Sequence, residues 1–179
     1  MKTFTFRVII DTEEDVFRDI EILEDQNFEE FHQTIIKAFE FKGDQMASFY
    51  ISNEEWEKGE EISLMDMSLE DNKGPVKMKD ILIGSRINDS HQKILYVYDF
   101  LKMWIFYIEL VKEGPQELDK SYPFISLIFS DAPDENSKEI TDIFNSSMKD
   151  NLEEDIHEMF DNSDENEISE FDNLEDYDI

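Results

Sequence analysis

From Ile94 to Lys112 the chain reads ILYVYDFLKMWIFYIELVK, the longest aromatic-rich apolar segment in an otherwise acidic sequence. Ile94, Tyr96 and Tyr98 alternate with Leu95 and Val97. After an interruption at Asp99 to Met103, the run Trp104, Phe106, Ile108 and Leu110 alternates with Ile105, Tyr107 and Glu109. Two period-two runs rich in β-branched and aromatic residues, joined by a short break, predict neighbouring strands of one hairpin. Both faces of the second run are apolar as far as Ile108, which predicts a central strand covered on both sides.

A core of that kind needs material. Hydrophobic residues supply 40% of the 179 positions and 15 of them are Phe, enough for one packed domain despite 35% charged residues. The formal net charge of −30 excludes direct binding of a nucleic-acid backbone, which requires Lys and Arg to displace counterions. The same field opposes anionic membrane surfaces and favours cationic partners, or partners that themselves bind nucleic acid. No Cys is present, so disulfides and thiolate chemistry are unavailable. The opening MKTFTFRVIID lacks the apolar stretch of a secretory signal, and no run reaches the ~20 residues that span a bilayer. A cytoplasmic protein is expected.

The charge is uneven. Residues 1–130 carry 27 acids and 14 bases, whereas residues 131–179 carry 19 acids and 2 bases. This divides the chain into an α+β domain over 1–130 and an acidic, partly disordered tail over 131–179, with a boundary near Asp131, Ala132 and Pro133.

Within the first part, Phe4, Phe6, Val8 and Ile10 share one face of an opening strand. A turn of acids leads to a second strand, Val16 to Leu23, and the pair forms an antiparallel hairpin. Asn27 followed by Glu30 is a capping-box arrangement. The stripe Phe28, Phe31, Ile35, Ala38 and Phe39 predicts an amphipathic helix on that hairpin, with Gly43 as its C-terminal stop. Short strands follow at Ser48 to Ser52 and Glu61 to Leu64, separated by the charged loop NEEWEKGEE. Met65 to Lys77 reads as loop. After the central hairpin, Tyr122 to Phe129 is a further strand, and Pro123 near its start marks a strand beginning or an edge. This order resembles a β-grasp-like mixed sheet with one main helix packed on it. In the tail, Leu152, Ile156, Met159 and Phe160 fall at helical spacing, and Ile168, Phe171 and Leu174 repeat three apart among acids.

Chemistry-bearing patterns are sparse. His32, His91 and His157 have no paired spacing that would hold a metal. His32, on the flank of the helix stripe, is expected to be a partly buried, hydrogen-bonded side chain. Asp161 to Asp172 has the length of a calcium loop, but Asn166 stands where Gly is needed and Asp172 replaces the bidentate Glu. No glycine-rich phosphate loop exists among the 5 Gly. Tyr96, Tyr98, Asp99 and Trp104 allow two readings. They could line a pocket with Asp99 as base, or form core aromatics with Asp99 bonding backbone amides of the turn; the second is favoured.

The central segment resembles the signature of the plasmid pRiA ORF-three-like family, named from a root-inducing plasmid and mostly bacterial. Tyr96, Tyr98, Asp99, Phe100 and Trp104 stand in matching places, followed by Ile108 and Leu110. Leu101 and Lys102 replace a Gly-Asp pair, Phe106 replaces a His, and His32 follows Phe31 where the family often has Leu-His. The resemblance covers most of residues 1–133. It implies an α+β single domain with no established chemistry, some of whose members are described as resolvase-like or fused to DNA-binding domains. The losses at Leu101, Lys102 and Phe106 argue against a polar site on that turn.

No catalytic, cofactor or metal residue is assigned. The expected function is a non-catalytic interaction module that binds a protein partner through the tail positions Leu152, Ile156, Met159, Phe160, Ile168, Phe171 and Leu174. Two alternatives stay open. One is an acidic mimic of nucleic acid linked to mobile elements; the other is an enzyme with a site near Asp99.

Overall fold

The alternation Phe4, Phe6, Val8, Ile10 becomes strand β1, Lys2–Ile10, in which those four side chains are all buried. The computed structural model describes residues 1–65 and 74–139. After β1 come β2 (Phe17–Leu23), helix α1 (Phe28–Ala38), β3 (Ala47–Ser52), β4 (Lys58–Ser63) and β5 (Val76–Lys77). Two 3-10 turns, Met78–Asp80 and Ile83–Ser85, lead to β6 (Lys93–Tyr98), β7 (Trp104–Pro115) and β8 (Phe124–Phe129). Met1–Ile140 forms one compact unit.

The eight strands of the described residues join one sheet in the order β5-β4-β3-β6-β7-β1-β2-β8. Every pairing is antiparallel except β4 with β5, so the sheet is mixed and the class is α+β. The β6–β7 hairpin occupies the middle, with Tyr98 opposite Trp104 and Tyr96 opposite Phe106.

Helix α1 begins where the capping box places it: Asn27 accepts from the Glu30 amide at 2.9 Å, and Glu30 accepts from the Asn27 amide at 2.9 Å. Loss of such a cap costs about 1 kcal/mol. The helix stops earlier than Gly43. It ends at Ala38, and Glu40 takes the left-handed conformation at φ 59°. The chain must reverse there because Phe39 and Phe41 are both buried, one on each side of the turn. Gly43 is also left-handed, at φ 76°, and a Cβ on it would meet Ile36 at 2.9 Å.

The helix covers one face of the sheet with a stack of rings. Phe31 lies parallel to Phe49 at 5.5 Å, Phe49 meets Tyr96 at 4.6 Å, Tyr96 meets Phe106 at 5.3 Å, and Phe106 meets Phe39 at 5.0 Å. Among the described residues the other face is not covered in the same way, against the expectation for β7. Ile105, Tyr107 and Glu109 remain partly exposed, because the single main helix shields one side and antiparallel sheets tolerate a wet second side. Trp56, from the loop between β3 and β4, packs edge-on against Tyr107 at 4.9 Å.

Strand β4 starts three residues before the expected Glu61, inside the charged loop. Gly59 permits this, since its backbone lies too close to the Ile51 carbonyl for any side chain.

Candidate functional site

The residues singled out by the central motif converge on the end of the β6–β7 hairpin. Tyr96 and Tyr98 are consecutive inward positions of β6 and both are fully buried. Trp104 opens β7 opposite Tyr98 and is 1% exposed. Phe100, in the turn that follows, is exposed. Asp99 begins the turn in the left-handed conformation, and its Oδ1 accepts from the amides of Leu101 at 3.0 Å and Lys102 at 3.1 Å. Its carboxylate therefore holds the turn that replaces the Gly-Asp pair.

His32 reaches this cluster from α1. Its Nδ1 shares a 2.7 Å hydrogen bond with the Tyr96 hydroxyl inside the core. Burial lowers the imidazole pKa to about 4, and burial, followed by the charge of Tyr98, raises Tyr96 well above the ordinary phenol value. At neutral pH both partners are uncharged, so the pair is a neutral polar bridge between helix and sheet. Neither group titrates near neutrality, the range in which general acid–base catalysis is most effective.

Tyr98 is held differently. The Gly43 amide donates to its oxygen at 3.0 Å, and its hydroxyl donates to Glu135 at 3.0 Å. Burial first, then the bond to Glu135, pushes its pKa up to about 12. Glu135 also accepts from the Lys42 amide at 2.7 Å, while its own carbonyl accepts from Trp104 Nε1 at 3.2 Å. Lys138 adds a bond from Nζ to the Met103 carbonyl at 2.8 Å and lies 4.8 Å from the Trp104 ring centre. Residues 132–138 thus strap the hairpin end, although the charge count assigns them to the tail.

Sequence reasoning missed Glu135, for which no local signal exists. It also missed Arg18, which is 3% exposed. Arg18 donates to the Ala38 carbonyl at 2.9 Å and to the Phe129 and Ser130 carbonyls at 3.0 Å, with its guanidinium over Phe39 at 4.9 Å. Burial lowers its pKa. The signal was present: Arg18, Ile20 and Ile22 share one face of β2, so an even-numbered Arg among buried neighbours must find carbonyls.

His91 sits on the surface beside Ser90 and Asp89. Among the described residues no group of three or more His, Cys, Asp or Glu is arranged to hold a metal ion. Leu152, Ile156, Met159, Phe160, Ile168, Phe171, Leu174, His157 and the Asp161 to Asp172 stretch lie outside the described residues.

The sequence model of the family described as Plasmid pRiA4b ORF-3-like protein matches residues 2–177. The chain belongs to this family. The match runs well beyond the 1–133 stretch over which the resemblance was expected, so the acid-rich region falls within the extent of the pRiA4b ORF-3-like sequence. A crystal structure of a protein of unknown function from Methanosarcina mazei Go1 is similar, with a TM-score of 0.65 and 19% identity over 83% of this chain and 82% of that one. At this identity the likeness shows the fold. No curated protein matches the chain. Among the described residues no helix is long and apolar enough to cross a membrane.

Proposed function

We propose that this pRiA4b ORF-3-like chain is a non-catalytic interaction module of the cytoplasm that binds a basic protein partner through its acidic C-terminal region. The observation that carries the reading is the occupation of the motif by structural work. His32 is tied to Tyr96, Tyr98 to Glu135 and Asp99 to its own turn, all within the core or its rim. The contact-making capacity then lies in the region where 19 acids and 2 bases surround regularly spaced apolar residues. Leu152, Ile156, Met159 and Phe160 would enter an apolar groove on the partner, and the acids would pair with its basic rim.

The test uses the full chain against one in which those four residues are Ser, with a partner captured by the former and then purified. The expected outcome is partner binding lost in the Ser variant and only moderately weakened by salt. Equal binding by both chains defeats the proposal. Binding that ignores the Ser changes but collapses with added salt would instead favour the nucleic-acid-mimic alternative, in which charge alone is read.

A further inference from the structure

Ser121 to Ser130, between Lys120 and Asp131, contains no charged residue and is the longest such run in the chain. Most of it is β8. Its pairing with β2 sets Ile125 and Ile128 on the helix side of the sheet, opposite Ile20 and Arg18. Phe124, Leu127 and Phe129 lie on the other side, opposite Glu21, Asp19 and Phe17. A strand apolar on both faces is the pattern of a sheet interior. Yet β8 ends the strand order, and among the described residues nothing pairs with its outer edge.

Sheet edges in monomers are ordinarily blunted by inward-facing charge, Lys or Pro. Within β8 only a bulge at Ser126 serves that purpose, where the register shifts between Asp19 and Ile20. Leu127, Ile128 and Phe129 are 42%, 65% and 47% exposed. Beside them a groove of about 640 Å³ opens between β8 and α1, lined by Pro123, Ile125 and Ile128 on one side and Glu30, Thr34 and Lys37 on the other.

We propose that β8 of a second copy of this chain completes this edge, antiparallel about a two-fold axis, so that the two sheets run together. The strand is self-complementary in that arrangement. One register sets Ile125 against Ile128 of the copy and Phe124 against Phe129, and each pair shares a face of the sheet, as a cross-strand pair must. The ends agree as well. Antiparallel pairing brings the Lys120 end of each strand toward the Asp131 end of the other, whereas a parallel arrangement would set like ends together.

The net charge of −30 opposes any self-association at long range. The charge-free run keeps like charges off the contact itself, and screening acts beyond about 8 Å at physiological salt. Added salt therefore tightens this contact, the opposite of its effect on an acidic surface holding a basic partner. A strand donated by a different, basic protein would show that opposite sign.

Sedimentation equilibrium of the full chain, across concentration and at low and high salt, tests the proposal. The expected result is a species of twice the 21.3 kDa chain mass, tightened by salt. Ile128→Lys and, separately, Leu127→Lys should each raise the dimer dissociation constant by about tenfold or more with unchanged circular dichroism. Amide exchange in residues 124–129 should be slow in the dimer and accelerate on dilution. A monomer at every concentration, a dimer that salt weakens, or a dimer indifferent to both Lys substitutions overturns it. The tail variant with four Ser leaves this dimer intact, so the outcome is separable from the fate of the tail proposal.

Discussion

Phe106 and Phe129 are both phenylalanines in apolar, period-two strands, yet Phe106 is fully buried and Phe129 is 47% exposed. Phe106 belongs to β7, which has neighbours on both sides, and Phe39 at the end of α1 packs on its ring. Phe129 belongs to β8, which has one neighbour among the described residues. Around Phe106 the polar groups are also drawn in and paired: His32 with Tyr96, Tyr98 with Glu135, Trp104 Nε1 with a carbonyl. Around Phe129 the apolar surface faces outward. Composition made both strands; their place in the sheet order decided what each does, one as scaffold and one as a contact surface.

Phe106→Ala is the strongest way to sharpen the contrast. Removing a fully buried ring at the meeting point of Phe39, Phe41 and Tyr96 should cost about 3–5 kcal/mol, read as a fall in the urea midpoint. A loss no greater than that of a surface substitution would show that the hairpin is not the core.

Acid probes the same region through His32. Its folded pKa of about 4 lies below the unfolded value of 6.5, so the unfolded chain binds the proton first. The contribution is fully present above pH 6.5 and is lost as the pH falls toward 4, a change of about 3 kcal/mol across that window. His32→Gln should flatten the stability-against-pH curve between those limits relative to the parent. A parallel pair of curves would refute the linkage.

Glu135→Ala removes acceptors for Tyr98 and the Lys42 amide at a half-exposed site, for which about 1 kcal/mol is expected. It should also lower the apparent pKa of Tyr98 from about 12, measured by ultraviolet titration, because its carboxylate bond contributes to that rise.

Leu127→Ala, on β8, should change the stability of the isolated chain by less than about 0.5 kcal/mol. A loss comparable to that of Phe106→Ala would erase the distinction between the two strands.

Several elements could be read locally. The helix start needs only Asn27 and Glu30, three residues apart, and their reciprocal bonds form as the spacing requires. The central hairpin follows from period-two alternation on either side of Asp99. Pro123 stands just before an edge strand, as a residue without an amide hydrogen suggests. The helix end is not legible locally: Gly43 is the conspicuous stop, while the burial of Phe39 and Phe41 forces the reversal at Glu40.

Residue spacing and charge by themselves determined the strand and helix segments, the unequal distribution of acids and the absence of thiol chemistry. These depend on neighbours a few positions away. The tertiary structure alone decided that His32 meets Tyr96 across 64 residues, that Glu135 locks Tyr98, and that β8 stands at the rim rather than inside. Such pairings are set by the order in which strands join the sheet. That order depends on contacts between residues far apart in the chain, and no short window of sequence carries it.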